Sequence, residues 1–217
     1  MAKKKDTPQK DIIALYMQHV LEHESFPVSV YKFCKENDID ESVFYASYAS
    51  LDTVKLAVWK AFYDNTHQLL TKNKDFVQLT RKDRLLTFYY TFFEVLLLNR
   101  SYVLLALQHG KQPLKHLGQL KTLRGAVKSF AEELIEEGNE NKSDFAKNPT
   151  ALFSEATWGQ LLFLLRFWMN DTSKGFEKTD ALIEKSVAVA FEVFDNTRLD
   201  TLLDLGKFLW KETTARI

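Results

Sequence analysis

Residues Val28 to Lys55 read VSVYKFCKENDIDESVFYASYASLDTVK, and this stretch decides the fold. It holds two short helical patterns separated by a three-residue turn, Asn37-Asp38-Ile39, and a third helix starts almost at once after Ser50. Two short helices joined by such a turn are the outline of a helix-turn-helix. The sequence therefore predicts a helix-turn-helix here, with one helix before it and longer helices after it.

The composition favours an all-helical protein. The chain has 217 residues, 46% of them hydrophobic, with only seven Gly and four Pro, so the stretches between breakers are long. A single cysteine, Cys34, excludes an internal disulfide and a multi-cysteine zinc site, and we therefore predict a reducing, cytoplasmic compartment. The sequence shows neither a signal peptide nor a transmembrane segment. The net charge of zero provides no overall basic field that attracts nucleic acid or anionic lipid.

Apolar periodicity and capping residues divide the first 72 residues into four helices. The first follows Thr7-Pro8 and ends near Glu24. Two short helices come next, residues 28–36 and a helix capped by Asp40. Ser50 then caps a longer fourth helix. Its apolar stripe consists of Val54, Val58, Ala61, Phe62 and Leu69.

Longer and more apolar helices follow. Thr80 and Asp83 form a capping-box signature before a helix that is predicted to run to about Asn99. Further helices are predicted at residues 101–107, from about 117 up to a polar loop at 138–149, at 151–170 and at 176–195. A last amphipathic helix begins with Thr197 and carries apolar residues up to Trp210.

The charge of the helix-turn-helix region is unusual. Between Asp11 and Lys55 there are eight acidic and three basic residues, which gives a net charge of minus five. DNA-binding proteins normally neutralise phosphates with Lys and Arg. An N-cap role explains Asp40, and a solvated face is the alternative explanation for Glu36, Asp38 and Glu41. The residue count thus argues against DNA binding by this motif.

The spacing of several residues resembles the TetR family of transcriptional regulators. Its members typically have an apolar residue and Ala at the end of helix 2, Gly and an aliphatic residue in the turn, Tyr-x-x-Phe in helix 3 and Lys before helix 4. The corresponding residues here are Phe33-Cys34, Asp38-Ile39, Tyr45-Ala46-Ser47-Tyr48 and Leu51. The aromatic pair is kept, whereas the turn glycine and the lysine are not. Residues 168–194 also resemble the dimerisation helices of a TetR subgroup.

This resemblance implies an all-α, TetR-like homodimer with a three-helix head and a C-terminal helical bundle. Residues 1–50 would form the helix-turn-helix domain, and residues 51–217 the ligand-binding and dimerisation domain. The implied function is that of a non-enzymatic, ligand-responsive regulator of operator DNA. The candidate DNA-binding residues are Lys3, Lys4, Lys5, Lys10, Ser42, Tyr45, Ser47 and Lys55. For the basic N-terminal residues, the alternative is a tail that only improves solubility.

A hydrophobic effector pocket is the second implied site. Its candidate residues are Phe62, Phe88, Tyr89, Thr91, Phe92, Phe93, Glu94 and His109. The alternative is that most of the aromatic residues only fill the core. No catalytic motif and no cofactor site are recognisable. His19 and His23 have the i, i+4 spacing of metal ligands, but the sequence shows no third ligand, and we predict no metal site.

Two apolar stripes near the C-terminus predict dimerisation. They consist of Phe153, Trp158, Leu161, Leu162, Leu165 and Trp168 on one helix and Ile183, Val187, Ala190 and Phe194 on the next. Two such helices from each subunit would form a four-helix interface. The alternative is that both stripes pack within the monomer.

The acidic head leaves a second function open. Such a chain would be a TetR-fold protein that has lost DNA binding and keeps a pocket for a lipid or isoprenoid. The predicted amphipathic helix 199–210 is compatible with this alternative, because such a helix can lie on a membrane surface.

Overall fold

The computed structural model describes residues 9–108, 117–140 and 147–196. Within these ranges all regular structure is helical, which confirms the predicted all-α class. The α-helices are α1 (Gln9–His23), α2 (Val30–Glu36), α3 (Glu41–Ser47), α4 (Leu51–Lys72), α5 (Arg81–Leu97), α6 (Arg100–Gln108), α7 (Lys121–Asn139), α8 (Thr150–Asn170) and α9 (Glu177–Asn196). Short 3-10 turns occupy Phe76–Gln78, Leu117–Leu120 and Lys174–Phe176.

The chain divides into two compact units. The first consists of Met1–Lys74 and Tyr90–Val127, and the second of Asp75–Tyr89 and Lys128–Ile217. Helix α4 packs on α1 within the first unit. The predicted functional boundary after residue 50 therefore falls inside a compact unit, and the division into a DNA-binding and a ligand-binding domain stays a prediction.

Aromatic side chains form the core of the helix-turn-helix. Phe33 from α2 and Phe44 from α3 are fully buried, and their rings meet edge to face with centroids 6.1 Å apart. Tyr16 from α1 contacts Phe33 in the same way at 6.2 Å. Each such pair stabilises the fold by roughly 0.5–1.5 kcal/mol beyond area burial. Cys34 and Tyr48 are also buried.

Three capping arrangements set the helix starts. Ser29 Oγ accepts a hydrogen bond from the Lys32 N–H at 3.3 Å, so α2 begins two residues later than predicted. Ser50 and Thr53 form a reciprocal capping box at α4. Thr80 Oγ1 accepts from the Asp83 N–H at 3.1 Å before α5. The sequence predicts Ser50 as the N-cap of α4 and a capping box at Thr80 and Asp83; the reciprocal bond of Thr53 at α4 was not predicted.

Helix α4 differs from the prediction in its buried face. The buried residues follow an i, i+4 spacing and are Val54, Val58, Phe62, Thr66 and Leu70. Leu69, which we expected inside, is 44% exposed. Trp59, which the prediction left out, is fully buried, and its indole N–H donates to Gln119 Oε1 at 3.0 Å. This contact joins residues 60 positions apart, so local periodicity does not show it.

In the second unit, α8 and α9 pack against each other. The Phe153 ring meets the rings of Phe191 and Phe194 edge to face, with centroids 5.8 and 4.9 Å apart. The hydroxyl of Tyr89 donates to the carbonyl of Thr157 at 3.1 Å and so attaches α5 to α8. These contacts position the two long helices that the sequence predicts.

Several predicted boundaries are corrected. Helix α5 ends at Leu97 instead of Asn99, because the chain turns before α6 begins at Arg100. Leu117 lies in a 3-10 turn and is 40% exposed, and α7 begins only at Lys121. The predicted helix after Thr197 lies outside the described residues. Within the described part of the chain no single helix is long and apolar enough to span a membrane, although the bent pair α5 and α6 reaches that length and composition together.

Candidate functional site

The helix-turn-helix turn uses a left-handed residue. Asp38 has φ 52°, a conformation that glycine adopts without strain and that Asp tolerates better than most residues. The next residue closes the turn, since the Ile39 N–H donates to the Cys34 carbonyl at 2.9 Å and the Ile39 side chain is buried. The turn therefore keeps the geometry that the family fills with glycine and an aliphatic residue.

Helix α3 follows this turn and presents a short polar surface. Ser42 is exposed, Tyr45 is 53% exposed, and Ser47 is half-buried. Asp40 occupies the N-cap position of α3, but its carboxylate makes no capping hydrogen bond, contrary to the predicted capping role. Phe44 is buried on the inner side of α3, so the neighbouring Tyr45 points outward.

Acidic side chains are exposed around this turn. Glu36, Asp38 and Asp40 are exposed, and Glu41 is half-buried. Lys55, a predicted phosphate contact, pairs with Asp52 at 2.8 Å and places its Nζ 4.6 Å from the centre of the Phe26 ring. Lys55 thus already has an acidic partner and an aromatic neighbour within the chain.

Sequence reasoning missed three exposed side chains on α2. Lys32 and Lys35 point to solvent, and Tyr31 is 60% exposed. The Lys35 Nζ lies 6.0 Å from the centre of the Tyr31 ring. Together with Ser42 and Tyr45 on α3, they are the exposed basic, aromatic and hydroxyl side chains of these two helices. The count of charges between Asp11 and Lys55 did not identify these residues, because it does not show on which face of a helix each side chain lies.

Several other predicted site residues lie wholly or partly outside the described residues. Lys3, Lys4 and Lys5 lie outside the described residues, and so does His109 of the predicted pocket. Lys10 belongs to α1, but its side chain is outside the described part.

Two histidines and a glutamate converge between α1 and α2. The His19 Nδ1 lies 3.1 Å from Glu36 Oε2, and the His19 and His23 rings have centroids 4.3 Å apart. Burial, together with the neighbouring His23, lowers the pKa of His19, so its imidazole is neutral at neutral pH. Glu36 could not be recognised from the sequence as a partner of the two histidines, because it lies on a different helix.

The predicted effector-pocket residues are mostly core residues. The buried ones are Phe62, Phe88, Tyr89, Phe92 and Phe93, while Thr91 is half-buried and Glu94 is exposed. Burial raises the pKa of the Tyr89 hydroxyl well above its usual range, so this group stays protonated. Two cavities of about 450 and 530 Å³ lie on α8 and α9, and none of these predicted residues lines either one.

The larger cavity is an apolar groove along α8 and α9, which we call the α8–α9 groove. Its lining includes Ala156, Gly159, Phe163, Leu182, Val189 and Ala190. Phe163 and Val189 are 55% and 58% exposed, and both line the groove, so large apolar side chains from the two helices meet solvent at one place. A Cβ at Gly159 would meet no atom within 4 Å, so a second surface can approach closely there.

The predicted dimer residues lie mainly beneath this groove. Seven of the ten are buried within one chain, namely Phe153, Leu161, Leu165, Trp168, Ile183, Val187 and Phe194. Trp158, Leu162 and Ala190 are half-buried. Phe153, Ala190 and Phe194 also line the groove. Most predicted interface residues thus face inward, and the exposed large apolar residues of the same helices are Phe163 and Val189.

Comparisons with known proteins fit this architecture. No curated protein sequence matches the chain significantly. A solved structure assigned to the TetR family of transcriptional regulators, from Syntrophomonas wolfei str. Goettingen, superposes with a TM-score of 0.63 over 84% of this chain and 94% of that chain. Its sequence identity is only 13%, so this likeness shows the fold.

The sequence match to a family covers more than half of the chain. The family model described as the C-terminal domain of tetracyclin repressor-like proteins matches residues 84–209. The match includes α8 and α9, which form the apolar groove. The chain therefore belongs to the TetR, or tetracyclin repressor-like, family.

Proposed function

We propose that the chain is a TetR-type transcriptional regulator that acts in the cytoplasm as a homodimer. The α8–α9 groove is the observation that carries this proposal, because it leaves large apolar side chains exposed on helices that the family match covers. Family membership supports the functional class, and the helix-turn-helix is the element that we expect to face DNA.

The spacing of the groove residues fits a helical partner. On α8, Ala156, Gly159 and Phe163 recur every three to four residues, and on α9, Leu182 and Val189 are two turns apart. A second copy related by a two-fold axis would place its own α8 and α9 on this stripe and form a four-helix interface. Small residues beside large ones allow the helices to approach while the aromatic ring fills the space between them.

Light scattering on the purified full-length chain tests the dimer. At micromolar concentration we expect a particle of twice the 25.2 kDa chain mass. A particle of one chain mass would contradict the dimer, and the groove would then be an exposed surface of a monomer.

For DNA contact we propose the exposed groups of α2 and α3, with the basic N-terminal residues as additional phosphate ligands. Tyr31, Lys32 and Lys35 lie on α2, and Ser42 and Tyr45 on α3. Lysines neutralise phosphates, whereas hydroxyl groups fix the register on the backbone. Lys3, Lys4, Lys5 and Lys10 would act through the arm before α1.

The exposed acids Asp38 and Asp40 favour one alternative function. In that case the chain is a TetR-fold protein that has lost DNA binding and binds a lipid or isoprenoid. The aromatic residues of α5, Phe88, Tyr89, Phe92 and Phe93, would line the site of such a ligand after their side chains rearrange. Native mass spectrometry of the chain, purified without detergent from lipid-containing cells, tests this alternative. A co-purifying hydrophobic molecule supports it, and a mass equal to that of the protein alone opposes it.

A further inference from the structure

We propose that His19, His23 and Glu36 form a binding site for a divalent transition-metal ion of the zinc type. The site lies within the helix-turn-helix head, and it depends neither on DNA binding nor on dimerisation.

The three side chains come from two helices that the fold brings together. His19 and His23 are one turn apart on α1, so both imidazoles lie on the same face of that helix. Glu36 is the last residue of α2. One potential ligand atom from each residue lies within 4.8 Å of the others. Within the described residues, the structure thus provides the third ligand that the sequence alone did not show.

One of the three ligand separations is close to that of a loaded site. Zinc bonds of about 2.0–2.1 Å in tetrahedral geometry place ligand atoms roughly 3.3 Å apart. The hydrogen-bonded pair of His19 Nδ1 and Glu36 Oε2 spans 3.1 Å, and zinc would take the place of the shared proton. The other separations are at most 4.8 Å, and the His23 side chain, which is exposed, has to move towards this pair.

The chemistry of the three groups suits zinc. Two imidazoles and one carboxylate are a ligand set that zinc uses when its fourth position is left to water. The Glu36 side chain is 48% exposed, so a water molecule can reach that position. His19 is already largely buried against Phe33, with ring centroids 6.2 Å apart, so one ligand is held in place before binding. Such pre-positioning reduces the cost of ordering the site.

Surrounding charge also favours a cation. Glu22 and Glu24 lie near the C-terminal end of α1, and Asp38 follows Glu36 by two residues. A bound dication would join the end of α1 to the end of α2, directly before the turn that leads into α3. The metal would therefore rigidify the entry to α3 and offset part of the local negative charge.

Zinc titration against a chromogenic chelator tests the site. The untagged full-length chain is used at about pH 7.5, because zinc binds deprotonated imidazole and competes with protons at lower pH. We expect one Zn²⁺ per chain, and His23→Gln and Glu36→Gln should each weaken binding by at least about tenfold. His67→Gln is the matched control, because His67 is exposed on α4 and stacks on Tyr63 away from the three ligands. The double variant His109→Gln, His116→Gln controls for the two other histidines.

Thermal unfolding provides a second readout. Zn²⁺ should raise the melting temperature of the wild type and of both controls, because a ligand that binds only the folded state stabilises it. The increase should be smaller for His23→Gln and Glu36→Gln at the same zinc concentration, and Mg²⁺, which prefers oxygen ligands, should not reproduce it. The proposal is overturned if the wild type binds no zinc, if both ligand variants bind it as the wild type does, or if the double control variant loses it.

Discussion

Asp171 Oδ2 accepts two hydrogen bonds from Thr179, one from its backbone N–H at 3.0 Å and one from its hydroxyl at 2.7 Å. The other oxygen of the same carboxylate accepts from the N–H and the hydroxyl of Ser173 at 2.8 and 2.7 Å. This buried carboxylate thus joins the end of α8 to the first turn of α9, the two helices of the proposed dimer surface.

The hydrogen bonds of Asp171 predict a pH-dependent stability difference. Burial alone would raise the pKa of Asp171, but the four hydrogen bonds outweigh it and hold the pKa well below its usual range. Asp171→Asn should therefore cost about 1–3 kcal/mol of unfolding free energy at neutral pH. Because the folded pKa is lowered, this advantage is complete above the unfolded pKa of about 3.9 and is lost as the pH falls below it.

Urea unfolding of both proteins between about pH 7 and pH 3 measures this difference. Asp180→Asn is the control, because burial and the nearby Asp171 raise the pKa of Asp180 and its charge contributes no comparable stability. A gap between wild type and Asp171→Asn that stays constant down to the lowest pH would contradict this account.

A second prediction concerns the polar bridge in the first unit. Gln119 accepts from the Trp59 indole and donates to the Ala106 carbonyl at 2.9 Å, and all three residues are buried. Gln119→Ala should destabilise the chain by about 1–3 kcal/mol, because the indole N–H loses its partner. A double-mutant cycle with Trp59→Phe, measured by urea unfolding, should show a coupling of about 0.5–1.5 kcal/mol. Additive effects of the two substitutions would show that this hydrogen bond contributes nothing.

A third prediction concerns the turn before α3. Asp38→Gly should stabilise the chain by about 0.5–1 kcal/mol, since glycine adopts φ 52° without steric cost. Asp38→Ala removes the same charge but keeps the Cβ atom, so it should destabilise. The pair separates backbone conformation from charge. Equal melting temperatures for the two variants would mean that charge, and not the left-handed conformation, determines stability at this position.

A fourth prediction concerns the α8–α9 groove. Phe163→Glu places a charge at the centre of the proposed interface, and the variant should sediment with the mass of one chain. Val77→Glu is the matched control, because Val77 is 70% exposed and does not line the groove. It should keep the mass of the wild type. If Phe163→Glu keeps the mass of a wild-type dimer, the interface lies elsewhere.

Local signals in the sequence were sufficient to place most helices, although several of their boundaries were wrong. The caps Ser50 and Thr80 bond residues only three positions later, so they can be recognised without the fold. Periodicity predicted part of the buried face of α4, since Val54, Val58 and Phe62 are buried whereas Leu69 is exposed. The family resemblance was carried by short spacings in residues 33–51 and by residues 168–194.

Contacts between distant segments could not be predicted. Helix α8 is apolar around most of its circumference, so periodicity does not show that Phe153 is buried and Phe163 exposed. The neighbours on α9 and α5 decide this. The approach of Glu36 to His19 likewise depends on how α2 packs on α1. The candidate sites therefore became visible only once the helices were assembled.

DNA binding by the full-length chain tests the proposed function most directly. Fluorescence anisotropy with a labelled duplex from the region upstream of its own gene is measured over a series of salt concentrations, with a scrambled duplex as control. The proposal predicts roughly nanomolar affinity for the upstream duplex, at least about a thousandfold stronger than for the scrambled one and falling steeply as salt rises. No binding to the upstream duplex even at about 50 mM salt would contradict it and favour the function without DNA.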